Sequence, residues 1–154
     1  DLTGVASQSL GHKRLQQEMS RLQRHQISFS VILLSVDNLE DVDRIAGHVA
    51  SQTVVKNFAN QVKQNLYITD TCFRYDINKI FVILPDTNAG QARMFCDKLS
   101  RNIETSALLK AQGTQAELCY SVSAGIAQAE KDSRLESLLE DAKLRQNIFY
   151  ECSI

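Results

Sequence analysis

The sequence predicts an α+β domain, a mostly antiparallel sheet with helices packed against it. Three observations carry that reading. Hydrophobic periodicity gives the element order α-β-α-α-β-β-α-β-α, which mixes a hairpin with crossover helices. "ISFSVILLSVD" is apolar on both faces, the mark of a central strand. "RYDINKIFVILP", Arg74 to Pro85, reads as two strands joined by a tight turn, although "DINKI" holds no glycine.

The elements follow in order. Leu15, Met19 and Leu22 repeat at helical spacing within a helix from Ser7 to His25. In the strand after it, Phe29, Val31 and Leu33 point one way and Ile32, Leu34 and Val36 the other. "DNLEDVDRIAG" reads as a short helix, with Asn38 and Asp41 at its start and Gly47 as its stop. Val55, Phe58, Val62 and Leu66 mark the next helix, and the hairpin runs from about Cys72 to Leu84. Asn88 is an N-cap candidate for a helix whose inner face is Ala92, Phe95, Cys96, Leu99 and Ile103. "LLKAQGTQA" reads as loop after Leu109. In "ELCYSVSAGIA", Leu118, Tyr120, Val122, Ala124 and Ile126 share one strand face, opposite Ser121, Ser123 and Gly125. A last helix begins near Ser133 and runs through Leu138, Leu139 and Ala142. Ile77 and Ile80 are not usual turn formers, so at least one should pack inward or against a partner.

A chain of 154 residues fits one domain with a core that needs neither disulfide nor metal. The net charge is -1 and no basic block exists, which gives nucleic-acid binding no electrostatic support. The longest apolar run, "FSVILLSV", is far short of a membrane span, so no direct membrane insertion is expected, and the expected location is the cytoplasm. Cys72, Cys96, Cys119 and Cys152 form no C-x-x-C pair and read as reduced, structural thiols. His12, His25 and His48 lack metal-ligand spacing.

Two groupings could carry chemistry. Asp37, Glu40, Asp41 and Asp43 follow the central strand, where carboxylates can hold Mg²⁺. The simpler reading is acidic residues complementing the dipole of a helix start. Ser121 or Ser123 as a nucleophile needs a base within reach, and no histidine is near in sequence. Lys79 could meet a phosphate, but a lone lysine at a turn is more often a solvated charge.

Taken together, five segments give the chain its family resemblance. "DLTG" at Asp1 to Gly4 resembles the D-x-L-T-G opening of the GGDEF domain, the diguanylate cyclase fold of bacterial cyclic-di-GMP signalling. "LLSVDNLEDVDRIAGHVASQ" resembles D-x-D-x-F-K-x-I-N-D-x-x-G-H-x-x-G-D, with Gly47 and His48 kept. "RYDINKIFVILPDT" resembles R-Y-G-G-D-E-F-x-x-L-L-P-x-T, "YSVSAGIA" resembles V-T-x-S-I-G-I-A, and "LLEDAK" resembles the start of the final helix. The resemblance covers nearly the whole chain. It implies a GGDEF, nucleotide cyclase-like fold: a five-stranded sheet flanked by about five helices. It also implies a domain from a longer signalling protein, with sensory or phosphodiesterase modules beside it.

The family's reaction joins two GTP molecules held on facing domains, with metal ions neutralising phosphate charge. At the matching positions this chain departs from the pattern. The hairpin glycines are Asp76 and Ile77, the hairpin carboxylates are Asn78 and Lys79, and the phenylalanine is Ile80. The first aspartate of D-x-D is Ser35, and only Asp37 remains. The guanine-reading positions hold Asp43 and Gln52, with Ser51 in place of a glycine, and the phosphate-contacting lysine aligns with Tyr150. The inhibitory product site, R-x-x-D in the family, reads "YITD", with Tyr67 for the arginine and Asp70 kept.

These departures imply a degenerate domain with no catalytic residues, no metal and no cofactor, in which the named positions are vestiges. The expected role is a regulatory or interaction module. Its partners would be other domains of the same protein, a separate protein or a second copy. The alternatives are a non-catalytic sensor of GTP or cyclic di-GMP, and an active cyclase.

Overall fold

A computed structural model describes residues 7–111, 120–130 and 133–150 of the chain, with side chains through 104, over 120–130 and 133–147. The "DLTG" segment, Leu118, Cys119, Cys152 and the loop expected beyond residue 111 lie outside the described residues. Among the described residues, five helices and five strands follow in the order α1 (Gln8–His25), β1 (Phe29–Val36), α2 (Leu39–Ala46), α3 (His48–Gln64), β2 (Thr71–Asp76), β3 (Lys79–Pro85), α4 (Ala89–Ala111), β4 (Val122–Gln128), α5 (Leu135–Leu144) and β5 (Asn147–Tyr150). The strands form one sheet in the order β2-β3-β1-β4-β5, and every pairing is antiparallel.

β1 lies at the centre, buried at every residue, because its two apolar faces need cover on both sides. Ile32, Leu34 and Val36 join Ile80, Val82 and Leu84 of β3 beneath α3 and α4. Phe29, Val31 and Leu33 join Phe73, Phe81 and Ile83 beneath α1 and α5. Phe73 and Phe81 are direct cross-strand partners with ring centroids 5.2 Å apart. Each such buried side chain contributes about 1.5–3 kcal/mol of transfer free energy.

Helix boundaries follow local chemistry. Ser7 caps α1, its hydroxyl accepting from Leu10 N–H at 3.3 Å. Asn88 Oδ1 accepts from Gln91 N–H at 2.8 Å while Gln91 Oε1 accepts from Asn88 N–H at 3.0 Å, a reciprocal capping pair at the start of α4. Gly47 ends α2 and starts α3 at φ 94°, a conformation L side chains rarely adopt. Glu18 on α1 is fully buried, yet its carboxylate meets Arg14 at 2.6 Å and Arg21 at 3.2 Å.

Several expectations need correction. α3 ends at Gln64, so Leu66 lies beyond it, though Leu66 still packs on the α3–α4 core. α4 continues to Ala111, two residues past the expected end at Leu109. β4 begins at Val122, after Tyr120 and Ser121, and α5 begins at Leu135 rather than Ser133. The periodicity reading had four strands, and the fifth is the short β5. Four residues are too few for a period to register.

Candidate functional site

Polar side chains gather at the end of the sheet where β1 finishes. Ser35 of β1 pairs with Lys79 of β3 on one side and Ser123 of β4 on the other. Direct cross-strand partners share a face, so all three belong to the side covered by α1 and α5. Ser35 is buried, and its Oγ accepts from the Gln146 side-chain amide at 2.6 Å. The Ser123 hydroxyl donates to the Asp37 carboxylate. Asp37 N–H donates to Ser121 C=O at 2.9 Å, and Ser121 N–H donates to Asn38 Oδ1 at 3.0 Å. Asn38 thus spends its side-chain oxygen on the β4 approach, not on capping α2.

The hairpin tip reaches the same place. Asp76 pairs with Lys79, so only Ile77 and Asn78 form the turn, and Lys79 opens β3. Among the described residues only Gln26 and Asp86 are non-glycine residues at positive φ, so Ile77 and Asn78 both stay at negative φ. A two-residue turn of that hand splays its strands, and the register shift between Arg74 and Asp76 absorbs the mismatch. The turn is then fastened. Arg74 donates to Asp76 C=O at 3.4 Å and Ile77 C=O at 3.0 Å, and Asp76 Oδ1 accepts from Ile77 N–H at 2.7 Å. Asn78 donates its side-chain amide to Val36 C=O at 3.0 Å and accepts Val36 N–H at 2.9 Å. Of the two isoleucines, Ile80 packs inward with 3% of its surface exposed, and Ile77 is 69% exposed.

The other expected positions form two separate places. Asp43, His48 and Gln52 meet on α2 and α3: His48 Nδ1 is 3.8 Å from Asp43 Oδ1, and its Nε2 is hydrogen-bonded to Gln52 Nε2 at 2.9 Å. Ser51 beside them is buried and donates to His48 C=O at 2.9 Å. Tyr67 and Asp70 line a groove of about 640 Å³ with Leu84, Phe95, Lys98 and Arg101. Asp70 Oδ2 accepts from Tyr67 N–H at 2.9 Å. Burial raises the Asp70 pKa, and that hydrogen bond partly offsets the rise.

Sequence reasoning weighed Ser123 as a nucleophile that lacks a base, not as a partner of Asp37, and gave Gln146 and Lys143 no role of their own. Gln146 lies just past α5, where no period or motif flags it. The Lys143 ammonium sits 5.3 Å from the Tyr75 ring centroid and 3.7 Å from Glu140. Its pKa is raised, chiefly by hydrogen bonding to Tyr75. Tyr150 lies on β5 opposite Val122, and its side chain is outside the described residues. The acidic residues after β1 divide: Glu40 and Asp41 occupy the first turn of α2, as the helix-dipole reading expects, while Asp37 is held by Ser123.

Around Ser35 the sheet end gathers one carboxylate, Asp37, two hydroxyls, Ser35 and Ser123, three side-chain amides, Asn38, Asn78 and Gln146, and one ammonium, Lys79. Among the described residues no three His, Cys, Asp or Glu side chains converge as a metal group, and no described helix is long and apolar enough to cross a membrane. The sheet order, the hairpin and the helix faces define a nucleotide cyclase-like domain. The family model described as "Diguanylate cyclase, GGDEF domain" matches residues 1–147, and the chain belongs to that family. It is 28% identical over 141 residues to the diguanylate cyclase DgcS of Shewanella oneidensis, an alignment covering 92% of this chain and 45% of that protein. The chain thus spans less than half the length of that relative, and 21% of the diguanylate cyclase DgcP of Pseudomonas aeruginosa. The fold matches the GGDEF domain of DgcB from Caulobacter crescentus, solved with c-di-GMP, at TM-score 0.85 and 18% identity, over 94% of this chain and 84% of that one.

Proposed function

We propose that this GGDEF domain is a non-catalytic regulatory or interaction module of a cyclic-di-GMP signalling protein. The observation that carries the reading is the chemistry at the sheet end. Two-metal phosphoryl transfer needs anionic oxygen ligands, and hard Mg²⁺ takes them from carboxylates. Here the matching positions offer Ser35, whose hydroxyl is engaged by Gln146, the single carboxylate Asp37, the amide Asn78 and the cation Lys79. An ammonium where a metal ligand would stand repels the ion, so the residues present do not fit the metal the family uses. The Cβ of Asp76 and Ile77, with the Asp76 charge, also oppose close approach of a phosphate to the turn.

The interaction half of the proposal has support from a relative. The diguanylate cyclase SiaD of Pseudomonas aeruginosa, which matches this fold at TM-score 0.84 with 23% identity over 94% of this chain and 54% of that one, was solved in complex with its activator SiaC. A second reading, a nucleotide sensor without turnover, rests on the Tyr67–Asp70 groove, where an exposed aromatic ring and two cations, Lys98 and Arg101, stand beside three carboxylates, Asp70, Asp86 and Asp97.

Incubation with GTP and Mg²⁺ or Mn²⁺ tests the first reading: no cyclic product is expected, and turnover abolished by Asp37→Asn would overturn it. Thermal unfolding with Mg·GTP and then cyclic di-GMP separates the two. A ligand at 100 times its Kd adds about 2.7 kcal/mol, a rise of roughly 5–10 °C for a domain of this size. A flat response to both removes the sensor reading.

A further inference from the structure

A second groove lies on the opposite face of the sheet from Ser35. It has a volume of about 530 Å³, within the range of small-ligand sites. Its floor is small and apolar: Ala124 and Ile126 of β4, with buried Cys96 of α4. Gly90 opens one wall, and a Cβ there would meet nothing closer than 3.4 Å. Arg93 of α4 and Arg145, just past α5, reach it from two different elements. Among the described residues neither guanidinium has an ion-pair or hydrogen-bond partner. One carboxylate, Asp97, also lines the groove, leaving its charge at one positive unit.

We propose that this groove binds a compact organic anion, with a phosphate or carboxylate head between the two arginines and a small apolar body on the β4 floor. Guanidinium forks suit planar, bidentate recognition of either head group. The site is independent of the sheet-end residues, since Ala124 and Ile126 face α4 while Ser35 and Ser123 face α5.

The test is a titration of the 154-residue chain, labelled with ¹⁵N, against phenyl phosphate, benzoate and, as a neutral control, phenol. We expect saturating amide shifts at Gly90, Ala124, Ile126 and Asn147 with at least one anion and none with phenol. The anion that saturates names the head group. Arg93→Gln and Arg145→Gln, both at exposed positions, should each weaken binding about ten-fold or more while unfolding at the parent temperature. The proposal is overturned if neither anion saturates by about 10 mM, if phenol gives the same shifts, or if both variants bind as the parent does.

Discussion

Replacing Gln146 with alanine removes the one hydrogen-bond partner that the Ser35 hydroxyl, a buried group, has among the described residues. Ser35 is 3% exposed, and the Gln146 amide reaches its Oγ at 2.6 Å. A buried polar group left without a partner costs about 1–3 kcal/mol. Gln146 is itself half-buried, so water can follow the truncation and the lower half of that range applies, about 1–2 kcal/mol. At roughly 2–4 °C per kcal/mol for a domain of this size, the midpoint should fall by about 2–8 °C. Ser35→Ala takes away the orphan instead, and the double variant Ser35→Ala/Gln146→Ala should be no less stable than Gln146→Ala alone. Chemical denaturation of all four forms measures the cycle. Strictly additive losses would refute the contact, and with it the view that the sheet-end site is internally satisfied.

Three other outcomes follow. Gly125→Ala should destabilise by well over 3 kcal/mol or prevent folding, because its Cβ would lie 1.7 Å from the Ala142 carbonyl oxygen, a backbone atom that cannot swing aside; circular dichroism melting checks this. Burial raises the thiol pKa of Cys72 to about 11 and Cys96 to about 12, so both should resist alkylation by iodoacetamide in the folded chain at pH 8 and react once it is unfolded; labelling in mass spectrometry reads the difference. Burial raises the Asp70 pKa above 3.8, so the folded state holds that proton more tightly than the unfolded one. Its contribution to stability is therefore lost as pH rises from about 3.8 through the folded value, and Asp70→Asn should remove that part of the acid-range slope in denaturant melts.

The parts of the fold legible in the sequence were those with a long period. The two faces of β1 sort into separate cores as their alternation implied, and the inner face of α4 lies inward, with Phe95 partly exposed. Gly47 and Asn88 were readable because their chemistry is local. What escaped was non-local. Ser123 lies 86 residues from the Asp37 it donates to, and Gln146 lies 111 residues from Ser35. No window on the sequence joins such residues, and hydrogen bonds of that kind are set by strand order and register. The positions that match the family's site residues form a set only through the family pattern. The structure divides them into a sheet-end row, a helix pair at His48 and a groove beside Tyr67.

The turn at Ile77 and Asn78 bears on the unfolded chain as well as on the folded one. A turn held at negative φ has no use for glycine's freedom. Restoring glycine at position 77 would add conformations to the unfolded ensemble and gain nothing in the folded state. The cost is about 0.5–1 kcal/mol from entropy alone. The residue that a phosphate-cradling hairpin requires is thus one that this backbone selects against, and a drift back toward the family sequence at this position runs uphill in stability before any ligand is present.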